Sequence, residues 1–354
     1  MKLIYIPIDE RPCNTTVVKR MIETNKSSTV SIPPKSLLGN KKTPAHVDHL
    51  WRWLEEEVKD KDGLIFSPEM MLYGGLIPSR LHHLNDEVSE RMIENLTHLK
   101  KRNPDLVLYA SSVVLRAPRY NSNDEEPDYN QTYGSNLFFR KYLEDKERRV
   151  GLTEDEKAEY TEAVNHLPDW VVADYEQRRA FNLKVNKAMI KLVKLNIIDF
   201  LVIPQDDSAE YGYTAIDQKV VSQEIQANHL ERQILVYPGS DEVGATLVAR
   251  MYNMLTNQQP KLYIEWSSTL VPTLIPNYED RPMNETLKKH VLAVGASIVD
   301  TLSEAGALLA YNVPGKVMQE SWDQWTDKDQ TYNSFRDLIT FIIRWKKQSK
   351  AGRK

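Results

Sequence analysis

The sequence predicts an α/β protein in which parallel strands alternate with helices, and three observations carry that expectation. Four times a short β-branched apolar run meets a proline and gives way to carboxylates: Leu3-Ile4-Tyr5-Ile6-Pro7 before Asp9-Glu10-Arg11, Leu64-Ile65-Phe66 before Pro68-Glu69, Leu201-Val202-Ile203-Pro204 before Asp206-Asp207, and Ile234-Leu235-Val236-Tyr237-Pro238 before Asp241-Glu242. Unbroken apolar runs of this kind read as strands buried on both faces, the habit of parallel sheets. Segments of helical periodicity separate them, and the whole series comes to about eight strands, as in a (β/α)8 barrel. An open doubly wound sheet, single or in two Rossmann-like halves, gives the same local pattern. The barrel leads because acids follow strands in both halves of the chain, and a closed barrel brings all such ends to one mouth.

The first strand is expected over 3–7, ending at Pro7 because proline cannot donate to a ladder. Residues 14–24 read as a helix and 29–32 as a short second strand. Residues 43–59 follow as a helix, with Thr43 as N-cap, Pro44 in the first turn and Val47, Leu50, Trp51 and Leu54 at helical spacing. The third strand is 63–66. Residues 86–102 carry Val88, Met92, Ile93, Leu96 and Leu99 on one helical face and stop at Asn103-Pro104. Strand 106–115 comes next. The rhythm then breaks: residues 117–170 are polar, rich in Tyr, Asn, Asp and Glu, and read as a partly helical insertion, a lid or binding segment on the loop after the fourth strand. Helix 174–195, strand 199–203, helix 215–228, strand 233–237, helix 242–256, strand 261–265, helix 284–305 and strand 307–311 complete the series. The reading is of a single domain over 1–354, with 346–354 a disordered basic tail.

At 354 residues the chain can bury a large core. Its net charge of −4 offers no basic field to nucleic acid or an anionic membrane, so neither is expected as a partner. The one cysteine, Cys13, permits no intrachain disulfide and suits a reducing cytoplasm; it reads as a small buried residue. No leader pattern or membrane-length apolar stretch is recognised, which makes the expected location cytoplasmic. Oligomeric state is not legible.

Asp206-Asp207 is the strongest catalytic candidate. Two close carboxylates cannot both ionise easily, so one keeps a proton near neutral pH. That pairing suits glycoside cleavage, in which a carboxylic acid protonates the leaving oxygen and a carboxylate supports positive charge at the anomeric carbon. The competing reading has one Asp as a turn cap and the other solvated. Glu210, Tyr211 and Tyr213 follow closely, offering a further acid and rings for stacking on a sugar face, or simply for packing. Asp9, Glu10 and Arg11 form a second cluster, either a substrate clamp or an internal ion pair. Glu69 precedes Tyr73, the twin glycines Gly74-Gly75, and Arg80. Asp241 and Glu242 open a helix, as caps or as ligands to a hydroxyl-rich substrate. Arg116 and Arg119 can recognise a charged substituent or sit in surface ion pairs. His46, His49, His82 and His83 lack an acid at a ligand interval, which argues against zinc; the carboxylates Asp9, Glu69, Asp206, Asp207 and Asp241 suit a hard cation such as Mg²⁺ or Ca²⁺ instead.

The segments Pro7-Ile8-Asp9-Glu10-Arg11-Pro12-Cys13-Asn14, Tyr73-Gly74-Gly75-Leu76-Ile77-Pro78-Ser79-Arg80, Asp206-Asp207-Ser208-Ala209-Glu210-Tyr211-Gly212 and Pro238-Gly239-Ser240-Asp241-Glu242-Val243-Gly244 resemble the motifs of a bacterial family known as DUF4127, a domain of unknown function. Asn312-Val313-Pro314-Gly315 is compatible with it. The resemblance implies a bacterial source and an enzyme-like pocket at those motifs, with no established reaction. It also implies a longer chain with further acidic and Trp-Asn-Thr motifs, so the end at 345–354 suggests a truncated or frame-shifted member that is inactive or lacks part of its site. The paired aspartates are separately similar to those of substrate-assisted hexosaminidases acting on 2-acetamido sugars, by analogy alone.

The leading expectation is therefore a glycoside hydrolase acting on a small-molecule or oligosaccharide substrate without a cofactor, possessing catalytic Asp206 and Asp207. Asp9, Glu10, Arg11, Glu69, Arg80, Arg116, Glu210, Asp241 and Glu242 would contact substrate, and Tyr73, Tyr211 and Tyr213 would line the pocket. The alternatives are a Mg²⁺- or Mn²⁺-dependent hydrolase of a phosphate ester or amide, and a non-catalytic carbohydrate-binding protein.

Overall fold

The computed structural model describes residues 1–276, 278–312 and 338–350. They fall into two compact units, Met1–Val248 and Ala249–Lys354, where the sequence suggested one domain. The first unit opens with β1 (Lys2–Tyr5), α1 (Thr16–Glu23), β2 (Thr29–Ser31), α2 (Val47–Glu57) and β3 (Gly63–Phe66). Then come α3 (Pro68–Tyr73), α4 (Pro78–Leu81), α5 (Asp86–Arg102), β4 (Val107–Ser111), α6 (Asn130–Val150), α7 (Glu154–Asn165) and α8 (Asp169–Lys194). It closes with β5 (Phe200–Gln205), α9 (Tyr213–Ala227), β6 (Ile234–Pro238) and the start of α10 (Val243–Leu255).

The α/β class expected from the sequence is the one observed. Six strands pair in the order β2-β1-β3-β4-β5-β6, every pairing parallel. Among the described residues β2 and β6 stand at the two ends of this order. Register is set by pairs such as Ile4↔Leu64, Ile65↔Tyr109 and Val202↔Leu235. Alternate residues Ile4, Leu64, Phe66, Leu108, Leu201 and Ile203 join a cluster with Leu54 of α2, Leu96 of α5, Met189 of α8 and Val221 of α9. The intervening Leu3, Tyr5, Ile65, Tyr109 and Val202 are buried too, so both faces of the sheet are covered.

Local differences from the expected elements have identifiable causes. β6 ends at Pro238 as expected, whereas β5 runs through Pro204 to Gln205. A residue in a parallel ladder uses its carbonyl as well as its N–H, and the Pro204 carbonyl accepts from Val114 N–H at 2.9 Å. α2 begins at Val47, not Thr43, because Asn40 and Thr43 close a small backbone turn and Ala45 N–H is spent on the Gly74 carbonyl at 2.9 Å. Cys13 is exposed rather than buried. The insertion is a loop over 117–129 followed by α6 and α7, and its Leu137 and Leu167 pack with Val171 and Tyr175 of α8 and Tyr213 of α9 in a separate apolar cluster.

In the second unit the remainder of α10 leads to β7 (Lys261–Trp266), α11 (Met283–Ala293), β8 (Ser297–Ile298), β9 (Ala307–Tyr311) and α12 (Leu338–Lys350). The three strands are parallel in the order β8-β7-β9, with Leu287 and Val291 of α11 packed against Leu262, Ile264 and Leu309. α11 is shorter than the expected 284–305 because Gly295, at φ +76°, turns the chain into β8. Residues 346–350, expected as disordered tail, belong to α12; 351–354 and Val313-Pro314-Gly315 lie outside the described residues. No described helix is long and apolar enough to cross a membrane.

Candidate functional site

The strand order fixes where a ligand belongs. The chain leaves β1 for β2 on one side and crosses to β3 on the other, so the connections diverge beyond the C-terminal ends of β1 and β3. A cleft of about 1060 Å³ opens there. The segments following all six strands contribute to it: Asp9, Glu10 and Arg11 after β1, Lys35 and Lys41 after β2, Arg80 after β3, Arg116 and Glu125 after β4, Asp206 and Asp207 after β5, and Asp241 after β6. The carboxylates that the sequence scattered over more than 230 positions therefore share one cavity.

The floor is a buried ionic cluster. Arg80, only 6% exposed, donates from Nη2 to Asp206 Oδ2 at 2.7 Å and from Nη1 to Glu125 Oε2 at 3.0 Å and Glu126 Oε1 at 3.4 Å. Arg116 donates from Nε to Glu126 Oε1 and from Nη2 to Glu125 Oε2, both at 2.9 Å. Its Nη1 lies 3.8 Å from Asp207 Oδ2. The second oxygen of Asp206, Oδ1, meets the Ser240 hydroxyl at 3.4 Å. Burial, reinforced by the Asp206 charge, pushes the Asp207 carboxyl up to about 6, with Arg116 and Arg80 pulling the other way. Burial raises Glu126 as well, while Arg80 and Arg116 hold Glu125 below the ordinary range against the pull of its own partial burial.

Beside the floor, Arg11 clamps two other acids. Its Nη2 lies 2.7 Å from Asp9 Oδ2 and 2.5 Å from Asp241 Oδ1, and Asn14 Nδ2 donates to Asp9 Oδ1 at 2.8 Å. Glu10 accepts the Lys41 backbone N–H at 2.7 Å, tying the loop after β1 to the loop after β2.

Several expected site residues are elsewhere. Glu69 is buried behind the cleft: Ser67 caps α3 and also bonds the Glu69 carboxylate, whose other oxygen accepts from Val113 N–H at 2.8 Å. It ties the end of β3 to the end of β4, and burial raises its pKa. Tyr73 packs in the core against His82 and Phe181, not on the cleft. Gly74, at φ +85°, supports a tight backbone approach and no ligand: a Cβ there would lie 2.6 Å from Ala45 N. Tyr213 sits among the insertion helices, donating to Glu176 Oε1 at 2.9 Å and accepting from Arg140 at 3.1 Å. Tyr211 meets Tyr142 edge-on and lies under Arg149. Glu210 and Glu242 are exposed and do not line the cleft. For Glu210, Tyr211 and Tyr213 the reason is common: the chain after Ser208 turns away into α9, so nearness in sequence to Asp207 does not carry them to the same surface. Glu125 and Glu126 were not foreseen. They stand in an aperiodic loop, and their only signal is an acid pair closely following Arg116.

A model of the family described as a protein of unknown function, DUF4127, matches residues 3–352. The chain belongs to this family. The segments carrying the family resemblance are those that bring Asp9, Arg11, Arg80, Asp206, Asp207 and Asp241 to the cleft of this DUF4127 protein. No curated protein matches the chain.

What the arrangement can do is acid–base chemistry. Asp207 is a carboxyl that keeps its proton up to about pH 6, and Asp206 beside it is paired with Arg80. A divalent cation would need several donors to converge. Among the described residues no three His, Cys, Asp or Glu side chains do so, since these carboxylates turn to arginines.

Proposed function

We propose that this DUF4127 protein hydrolyses a glycosidic bond, with Asp207 as general acid/base and Asp206 as the fixed carboxylate that supports the reacting sugar. The observation that carries this reading is Asp207 itself, partly exposed to a cleft at the switch point of the sheet and protonated up to about pH 6. Asp207 would give its proton to the departing glycosidic oxygen as the bond to the anomeric carbon breaks. Water would then add at that carbon and return a proton to Asp207. An arginine-bound carboxylate is a weak nucleophile, so Asp206 suits electrostatic support better than covalent attack. Its Oδ1, met among the described residues by the Ser240 hydroxyl at 3.4 Å, has room to accept an N–H. That favours 2-acetamido sugars, whose own carbonyl oxygen can attack the anomeric carbon while Asp206 holds the N–H. Aromatic stacking by Tyr73, Tyr211 and Tyr213 is not part of the proposal, since none of them lines the cleft.

The test is hydrolysis of aryl and alkyl 2-acetamido glycosides by wild type and Asp207→Asn, with and without EDTA. Loss of the acid should cost about 10²- to 10⁴-fold in kcat for alkyl leaving groups and less for aryl ones, which depart without much protonation. EDTA should change nothing. In kcat/KM, activity should be present below and lost as pH rises through about 6, because the acid must be protonated. Equal turnover by Asp207→Asn on alkyl substrates removes the assignment, and loss of activity in EDTA moves it to a metal-dependent hydrolase.

A further inference from the structure

Four carboxylates share two guanidiniums at the cleft floor, and the way they share them is uneven. Glu126, 3% exposed, takes both arginines on the same oxygen, Oε1: Arg116 Nε at 2.9 Å and Arg80 Nη1 at 3.4 Å. Glu125 takes the other good donor of Arg116 and one from Arg80. Asp206 takes Arg80 Nη2. Asp207 is left with Arg116 Nη1 at 3.8 Å, beyond hydrogen-bond reach. The insertion therefore spends the Arg116 fork on its own two glutamates and keeps it off the carboxyl that faces the cleft.

Building on the acid–base reading of Asp207, we propose that Glu126 and Arg116 are opposed positioning residues for it: Glu126 turns the Arg116 guanidinium away, so that Asp207 has a cation near it but no close ion-pair partner. A direct Arg116–Asp207 pair would hold the aspartate ionised and remove the proton donor. A site without Arg116 would leave the aspartate reluctant to give its proton up. The observed spacing lies between, as an acid that must donate and recover a proton in each turnover requires. Among the described residues, the other charged or titratable groups bearing on Asp207 are Asp206 beside it after β5, Arg80 from α4, and Tyr120 from the insertion loop.

The geometry gives the two residues effects of opposite sign. Glu126→Gln keeps an oxygen that can accept from Arg116 but removes a negative charge near Asp207, so the Asp207 titration should move down in pH. Arg116→Gln removes the nearest cation, so it should move up. Each shift should be about one pH unit, at the low end for a charge lost within a few ångströms. The experiment is a carboxyl ¹³C titration of full-length protein labelled at aspartate, with the Asp207 signal assigned by its absence in Asp207→Asn, alongside the pH profile of kcat/KM on an alkyl glycoside. Opposite shifts in the two variants support the inference. No shift in folded variants, or shifts of the same sign, overturn it. Should Arg116→Gln not fold by circular dichroism, Glu126→Gln alone decides: a downward shift supports the inference, and an unchanged or upward one overturns it. Because the titration needs no turnover, opposite shifts in a protein that cleaves no glycoside leave the inference standing and sink only the glycosidase reading.

Discussion

Asp207 is held in the left-handed region at φ +49°, where a non-glycine residue is strained and Asn is tolerated better than most. Its carboxyl is also raised, so the folded state holds the proton more tightly than the unfolded chain does. The stability this contributes is fully present below the ordinary aspartate value of 3.8 and is lost as pH rises through about 6. Above that, folding carries an ionised Asp207 next to Asp206. Asp207→Asn should therefore destroy the proposed activity and yet stabilise the protein at about pH 8, by about 1 kcal/mol once solvent screening of a partly exposed side chain is allowed for. The gain should shrink at about pH 5, where the wild-type residue is already protonated. Urea unfolding midpoints at the two pH values check this; equal gains at both would assign the effect to backbone strain alone.

At the scale of elements, the start of α10 packs against β1 at a contact with no slack. A Cβ on Gly244 would meet Tyr5 Oη at 1.9 Å, and the Tyr5 hydroxyl is buried with no hydrogen-bond partner among the described residues. Gly244→Ala should cost about 1–3 kcal/mol by overpacking. Tyr5→Phe should be near neutral or stabilising, since it removes a polar group that burial leaves unpaired. The double variant should recover part of the loss, though not all, because ring carbon Cζ would still lie 2.6 Å from the new methyl. Denaturant unfolding of the three variants measures this, and a double variant no better than Gly244→Ala would show that the backbone sets the limit. Elements of this kind were legible in the sequence: the apolar runs gave β1, β3, β5 and β6, and Asp9, Asp206, Asp207 and Asp241 line one cleft as expected, whereas Glu210 and Glu242 do not. Glu69 followed the same pattern and still missed the cleft, because Ser67 caps α3 and folds its carboxylate back toward Val113. Tyr213 missed it because its ring is drawn into the apolar cluster it forms with Leu137, Leu167, Val171 and Tyr175. Adjacency along the chain says which strand end a residue follows, and not which way its side chain turns.

Across the whole molecule, what the sequence left open was pairing. Which strand lies beside which depends on contacts distant along the chain, and the placing of β1 between β2 and β3 leaves no mark on the local pattern. The division into two units was equally hidden, since α10 runs through the boundary without a break in its apolar spacing. That division has a consequence for stability. The largest apolar cluster draws only on residues from Ile4 to Val236, and the cleft lining ends at Asp241. A fragment ending at Asn257, just past the last turn of α10, keeps that helix intact, whereas a cut at Val248 would open it mid-ladder. The 1–257 fragment should therefore unfold in a single cooperative transition and keep the Asp207 titration near its full-length value. Near-ultraviolet circular dichroism during thermal unfolding tests the first expectation and the carboxyl titration the second. A fragment with helix content but no cooperative loss of tertiary signal would mean that the sheet and its cleft depend on residues beyond 257.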